Sequence, residues 1–187
     1  MKSCLLVIDA QESFVHRPYF HSAPIPRYLA AQNALIQGCS ALVLPIVRVF
    51  HHRPGGEATD PFALASGLVR PIEGLVDFTA AHTVHKTRHS ALVGTGLDVW
   101  LVAQGIQHII ISGIRTEQCC ETTTRHASDL GWQLSFVPEA TLTWDMPQPD
   151  GTSLSVADIH ARTAAVLRGR FAEVCTVDQV LKNAGHG

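Results

Sequence analysis

With 187 residues, 46% hydrophobic and 16% charged, the chain has the size of one globular domain, 1–187, and a composition that rules out intrinsic disorder. Fourteen Lys and Arg against sixteen Asp and Glu leave a net charge of −2 with no basic stripe, so nucleic acid is not an expected partner. The most apolar stretch, residues 41–50, carries Arg48 and falls far short of the roughly 20 residues of a membrane span, so no membrane partner is expected either.

Residues 4–8 form the first short apolar run. No basic leader precedes it, and a cytoplasmic location is the expectation. Leu29, Ile36 and Val43 recur at sevens across residues 26–43, which predicts a helix. A second strand is predicted at 46–50, opened by Pro45, a residue tolerated at a strand's start but not inside its ladder. Residues 51–71, with Pro54, Pro61, Pro71 and the pair Gly55-Gly56, read as a long loop, and loops of that length are usually functional. A short strand at 83–86 follows, then a helix at 97–104 stopped by Gly105, a strand at 109–112, a helix at 117–130 ended by Gly131, and a strand at 133–137. A loop at 144–151 leads to a helix near 156–167, and a sixth strand at 173–177 closes the series. Apolar strands separated by helices predict an α/β fold: a doubly wound three-layer domain on a six-stranded parallel sheet.

In such sheets ligands gather at the carboxyl ends of the strands, near the switch in strand order. Those ends carry Asp9, Lys86 and, at the opening of the helix after 109–112, Cys119. A thiol near a helix N-terminus and a lysine is expected to have a lowered pKa, and a carboxylate beside it can take and return a proton. That equipment suits acyl transfer. Each residue also has a plainer reading. Asp9 can be a turn or cap residue, Lys86 a solvated loop residue, and Cys4, Cys39 and Cys175 core. Thr116 is available as an N-cap for the helix that carries Cys119 and Cys120, and these physical arguments do not rank the two thiols. The odd count of five cysteines, without Cys-x-x-Cys pairs, predicts thiols rather than disulfides.

The segment Gly113-Ile114-Arg115-Thr116-Glu117-Gln118-Cys119-Cys120 resembles the nucleophile signature of the isochorismatase-like cysteine hydrolases, which include nicotinamidases and N-carbamoylsarcosine amidohydrolases. Asp9-Ala10-Gln11-Glu12-Ser13-Phe14 is similar to that family's opening Asp-x-Gln-x-x-Phe. Lys86-Thr87-Arg88-His89-Ser90-Ala91-Leu92 is similar to its lysine segment, with Leu92 where phenylalanine is usual. Pro138-Glu139-Ala140-Thr141 and Phe171-Ala172-Glu173-Val174 extend the likeness over nearly the whole chain. The resemblance implies a catalytic set of Asp9, Lys86 and Cys119, hydrolysing a C–N bond of a small amide, ureido or carbamoyl compound through a thioester. It also implies an oxyanion hole from the backbone N–H groups of Arg115 and Cys119 beside a cis Ile114–Arg115 peptide, substrate contacts from Phe14 and Gln118, and a homo-oligomer.

No cofactor is expected. Metal-dependent nicotinamidases carry Asp-x-His after the second strand, whereas this chain has Phe50-His51-His52-Arg53-Pro54 there, so no metal site is predicted. His51, His52 and Asp60 could at most form an unorthodox one. The Arg115 side chain can recognise a carboxylate, or point to solvent or to a neighbouring subunit. Vinyl-ether hydrolysis, thiol redox at Cys119-Cys120 and a non-catalytic role are the alternatives.

Overall fold

The computed structural model describes residues 1–185; the last two residues of the expected 1–187 domain lie outside that range. Six parallel strands form the main sheet: β1 (Ser3–Ile8), β2 (Ile46–His51), β3 (His82–Lys86), β4 (His108–Ile114), β5 (Gln133–Leu142) and, after a hairpin described below, β8 (Glu173–Val174). Their spatial order is β3-β2-β1-β4-β5-β8, so the chain runs outward from β1 in one direction, then returns and runs outward in the other. The switch falls between β1 and β4, which pair in parallel from Ser3↔His108 to Ile8↔Gly113.

Alternation along β1 shows how the sheet is covered. Cys4, Leu6 and Ile8 face one side, where they pack with residues of α2 (Leu97–Ala103), α3 (Glu121–Asp129) and α4 (Val156–Leu167). Leu5 and Val7 face the other, against Leu35, Ile36 and Cys39 of α1 (Ile25–Ala41) and Val177 and Val180 of α5 (Val177–Gly185). Each such fully buried aliphatic side chain is worth about 1.5–3 kcal/mol. None of the described helices is long and apolar enough to cross a membrane.

Four expectations need correction. The helix predicted over 26–43 stops at Ala41; Val43, the last residue of the sevenfold pattern, has φ 56° and is 87% exposed, so its place in that pattern is coincidental. β5 does not end at Val137. Pro138 has no N–H to give to the ladder, so pairing with β4 lapses after Ile111↔Phe136 and resumes at Gly113↔Thr141. The loop expected at 144–151 contains one arm of a small antiparallel hairpin, β6 (Met146–Pro147) with β7 (Ser153–Leu154). The last strand is only two residues long, and Val177, read as its end, begins α5, whose apolar face covers the α1 side.

One glycine is required by the switch point. Gly113 has φ 125°, and a Cβ there would lie 1.9 Å from the Ile8 carbonyl oxygen, so any side chain would push β4 away from β1. Gly105, at φ 66°, has nothing within 4 Å of the same position. Gly105→Ala should therefore cost only the about 1–2 kcal/mol of a left-handed L-residue. Gly113→Ala should cost markedly more, as an overpacked backbone does. Urea unfolding followed by circular dichroism ranks the two, and equal losses would contradict the close approach.

Candidate active site

Asp9, Lys86 and Cys119 meet at the carboxyl edge of the sheet. Asp9 follows β1 with φ 49°, a left-handed conformation uncommon outside glycine, held by Asp9 N–H to Val49 O (2.8 Å) and Gln11 N–H to Asp9 O (2.7 Å). Lys86 is the last residue of β3. Its Nζ lies 2.7 Å from Asp9 Oδ2 and 3.2 Å from Cys119 Sγ, and it donates to Arg88 O at 3.1 Å. Cys119 sits in a single π-helical turn, Thr116–Cys120, that leads from β4 into α3. Thr116 does not cap that turn as expected. Its hydroxyl donates instead to Thr141 Oγ1 at 2.9 Å, which ties the turn to the resumed part of β5. The Ile114–Arg115 peptide entering the turn is cis.

Burial dominates the electrostatics. The side chains of Asp9 and Lys86 are both fully buried, and the ammonium is the charge that faces the Asp9 carboxylate. Burial raises the Asp9 pKa, with Lys86 pulling against it. Burial pushes Lys86 down, but the facing Asp9 carboxylate and Cys119 sulfur outweigh it and hold the ammonium above the ordinary lysine value. Cys119 is 6% exposed, and burial, reinforced by the Asp9 charge, raises its pKa against the pull of Lys86. The expectation of a lowered thiol pKa is thus corrected: the resting group is a thiol beside a carboxyl that burial has made a stronger base.

Gln11 locks a fourth group into place. Its Oε1 accepts from His51 N–H at 2.8 Å and its Nε2 donates to His51 O at 3.0 Å, so both backbone groups at the end of β2 are pinned to the turn after β1. His51 Nδ1 then faces Lys86 Nζ at 3.1 Å. An Asp9 oxygen, a His51 ring nitrogen and Cys119 Sγ all lie within 4.8 Å of one another, a spacing compatible with a metal ion. Lys86 Nζ is within 3.2 Å of all three, however, and its ammonium is the cation of that space, so this donor set does not fit a metal. Asp60 is engaged elsewhere, ion-paired with Arg53 at 2.6 Å and accepting from Phe62 N–H at 3.0 Å, and His52 packs against His85.

Phe14 meets Phe62 edge-to-face (centroids 5.0 Å) and stacks on Trp144 (6.1 Å), which places it in a buried aromatic cluster. Gln118 is half-buried in the turn just before Cys119. Arg115 points neither to solvent nor away from the protein. Buried, it donates to Thr143 Oγ1 (3.2 Å) and Trp144 O (3.1 Å), pairs with Glu117 (3.1 Å) and lies 4.7 Å from the Tyr19 ring. With its charge met by Glu117, it is not a free carboxylate receptor. Cys120 is fully buried in the apolar layer, its pKa raised by burial, and all five cysteines are free. The next residue, Glu121, is buried and paired with Arg125 (3.0 Å) and Arg162, and Thr163 donates to it at 3.2 Å, fixing the start of α3 to α4.

Sequence reasoning missed one contact. His89 Nδ1 lies 3.8 Å from Cys119 Sγ, on an exposed residue three positions after Lys86. Its place within the lysine segment was the only signal.

A doubly wound sheet with a carboxylate, an ammonium and a thiol at its switch point defines an α/β protein equipped for nucleophilic chemistry. The Isochorismatase domain family matches residues 3–179, and the chain belongs to that family. It is 26% identical over 179 residues to the streptothricin hydrolase of Streptomyces noursei, covering 94% of this chain and 60% of that protein. To nicotinamidase 3 of Arabidopsis thaliana it is 32% identical over 92 residues, 49% of this chain and 46% of the relative. The chain thus spans less than two thirds of either curated relative. A crystal structure of an isochorismatase-family protein from Chromobacterium violaceum superposes with a TM-score of 0.87 at 26% identity, covering 100% of this chain and 95% of that one.

His51 offers a pH test. Burial first and the Lys86 ammonium second lower its pKa to about 4, whereas the unfolded chain takes up the proton near the ordinary value of about 6.5. A depressed folded pKa contributes stability that is complete above about pH 6.5 and is lost as the pH falls toward about 4. His85, His108 and His160 are shifted the same way, so the measurement is a difference. Between about pH 7 and pH 4 the Tm of the wild type should fall more than that of His51→Gln. A constant difference across the window would contradict the half-buried neutral imidazole.

Proposed function

We propose that the protein is a cysteine hydrolase that cleaves the C–N bond of a small amide, ureido or carbamoyl compound. The observation that carries this reading is the ammonium of Lys86, buried and touching both the Asp9 carboxylate and the Cys119 sulfur. No structural purpose demands a thiol there, and the three groups have complementary roles in acyl transfer. The names of the two curated relatives, a hydrolase and a nicotinamidase, support the same class.

In this reading Asp9 accepts the Cys119 proton as sulfur attacks the carbonyl carbon. The Lys86 ammonium stabilises the negative charge that the pair carries between them. The backbone N–H groups of Arg115, just before the helical turn, and of Cys119, within it, receive the oxyanion. Collapse breaks the C–N bond, and the proton held on Asp9 goes to the departing nitrogen, leaving an acyl group on Cys119. Water then attacks the thioester, releasing the acid and restoring the thiol. Phe14 and Gln118 line the substrate's approach.

Release of ammonia or amine from a panel of primary amides, carbamoyl and ureido compounds tests the reading. Cys119→Ser should abolish release from whichever compound is turned over. Asp9→Asn keeps the size of the group but cannot carry the proton, and should lose on the order of 10²-fold or more in turnover. Dialysis against a strong chelator should leave turnover intact, since the Lys86 ammonium occupies the space among Asp9, His51 and Cys119. No release from any of these compounds, or full activity in Cys119→Ser, would overturn the reading.

A further inference from the structure

A cavity of about 630 Å³ opens at the carboxyl ends of β5 and β8, and Asp9, Lys86 and Cys119 do not line it. Its size is that of a small-molecule pocket, and the carboxyl edge of a parallel sheet is where such ligands collect. Tyr28 of α1, Leu142 and Cys175 give it a buried, mostly apolar floor. Two basic side chains join the lining, Arg27 from α1 and half-buried His160 from α4.

These two groups have no counter-charge among the described residues. No carboxylate lies within ion-pair distance of Arg27, and the one carboxylate in the lining, Glu139, accepts from Val177 N–H at the start of α5. Burial and, after it, the Arg27 charge hold the His160 pKa below its ordinary value, so one cation bears on the imidazole without an anion between them. An apolar floor beside an unpaired guanidinium suits an amphipathic anion. Its carbon body leaves water against Leu142, and its carboxylate takes parallel hydrogen bonds from the guanidinium.

The wall of this cavity also supports the nucleophile. Thr141 and Thr143 line it, and their hydroxyls accept from Thr116 Oγ1 (2.9 Å) and Arg115 Nε (3.2 Å) respectively. Arg115 stands just before the turn that carries Cys119, and Thr116 begins it. A ligand that orders residues 141–143 therefore acts on that turn through two hydrogen bonds. Because Cys119 is almost entirely buried, a reagent reaches its sulfur when the turn opens, and a stiffer turn opens less often.

We propose that this cavity is a second binding site, for a small amphipathic monocarboxylate, and that its occupant restrains the nucleophile's turn. Binding and thiol reactivity test this without any turnover, so the result is independent of the hydrolase reading. 2-Naphthoate is the probe, and 2-naphthylmethanol is its neutral counterpart of similar shape. In calorimetric titration the acid should bind one equivalent per chain, on the order of 10-fold tighter than the alcohol, and Arg27→Gln should remove that preference. Ala157→Trp, which fills the cavity from the exposed start of α4, should abolish binding of both. Protein alkylated beforehand at Cys119 should still bind, which separates the cavity from the reacting thiol. Saturating 2-naphthoate should slow alkylation of Cys119 by iodoacetamide severalfold, followed by peptide mapping, and should leave the rate in Ala157→Trp unchanged. No binding of the acid, equal affinity for acid and alcohol, binding that survives Ala157→Trp or is lost on alkylation, or an alkylation rate indifferent to the ligand would overturn the proposal. A dimer in sedimentation that Ala157→Trp dissociates would also overturn it, because a second copy of the chain would then be the occupant.

Discussion

The contact between Lys86 and Asp9 is the constraint on which the rest of the site depends. Two full charges withdrawn from water each carry a desolvation penalty of several kcal/mol, and removing one partner of such a pair typically destabilises by about 3–5 kcal/mol because the other charge stays buried. Here the penalty is met at a single nitrogen by Asp9, the Arg88 carbonyl, His51 Nδ1 and the Cys119 sulfur. The same neighbours explain why the thiol is poised rather than ionised. Burial raises both Cys119 and Asp9, so the proton between them is shared by groups of altered strength, and the ammonium stabilises whichever of them is negative. A more exposed site would have a more acidic thiol and a weaker base.

That arrangement requires three strand ends to converge to within a few ångströms, and several otherwise unremarkable residues serve it. Gly113 lets β4 approach β1 where any side chain would strike the Ile8 carbonyl. Gln11 binds the end of β2 to the turn after β1, and Thr116 and Thr141 bind the nucleophile's turn to β5 beyond the lapse at Pro138. Glu121 fixes the start of the next helix through Arg125, Arg162 and Thr163. The reactive groups are thus seated on sheet and helix ends rather than on free loops, the placement that holds catalytic geometry most tightly.

Much of this was legible in the sequence because period and strand ends carry it. Apolar runs alternating with amphipathic segments implied a parallel sheet, the rule that ligands gather at its carboxyl edge singled out Asp9, Lys86 and Cys119, and those three do meet. What was not legible depended on tertiary contacts. The second half of β5 follows a proline that reads as a terminator, and only pairing with β4 shows that the strand resumes. α5 begins where an apolar Val177 looked like the end of a strand. Arg115 looked free to meet a substrate because its partners Thr143, Trp144 and Tyr19 lie far away in the chain. The lowered thiol pKa inferred from a helix start and a lysine was overturned by burial, a quantity that residue spacing does not report.

The strand order has a consequence for the order of synthesis. Of the strands of this sheet, β1 leaves the ribosome before the others, yet it occupies the middle of the finished sheet, between β2 and β4. When β2 and β3 have emerged, Asp9 and Lys86 can already be near each other, but the β4 edge of β1 stands open until residues 108–114 arrive. Contacts of such long sequence separation are slow to form, and an unpaired strand edge invites pairing with another chain in the interval. A nascent chain truncated before β4 would therefore carry a half-assembled ion pair at an unfinished edge, the point at which this topology is most exposed to wrong partners.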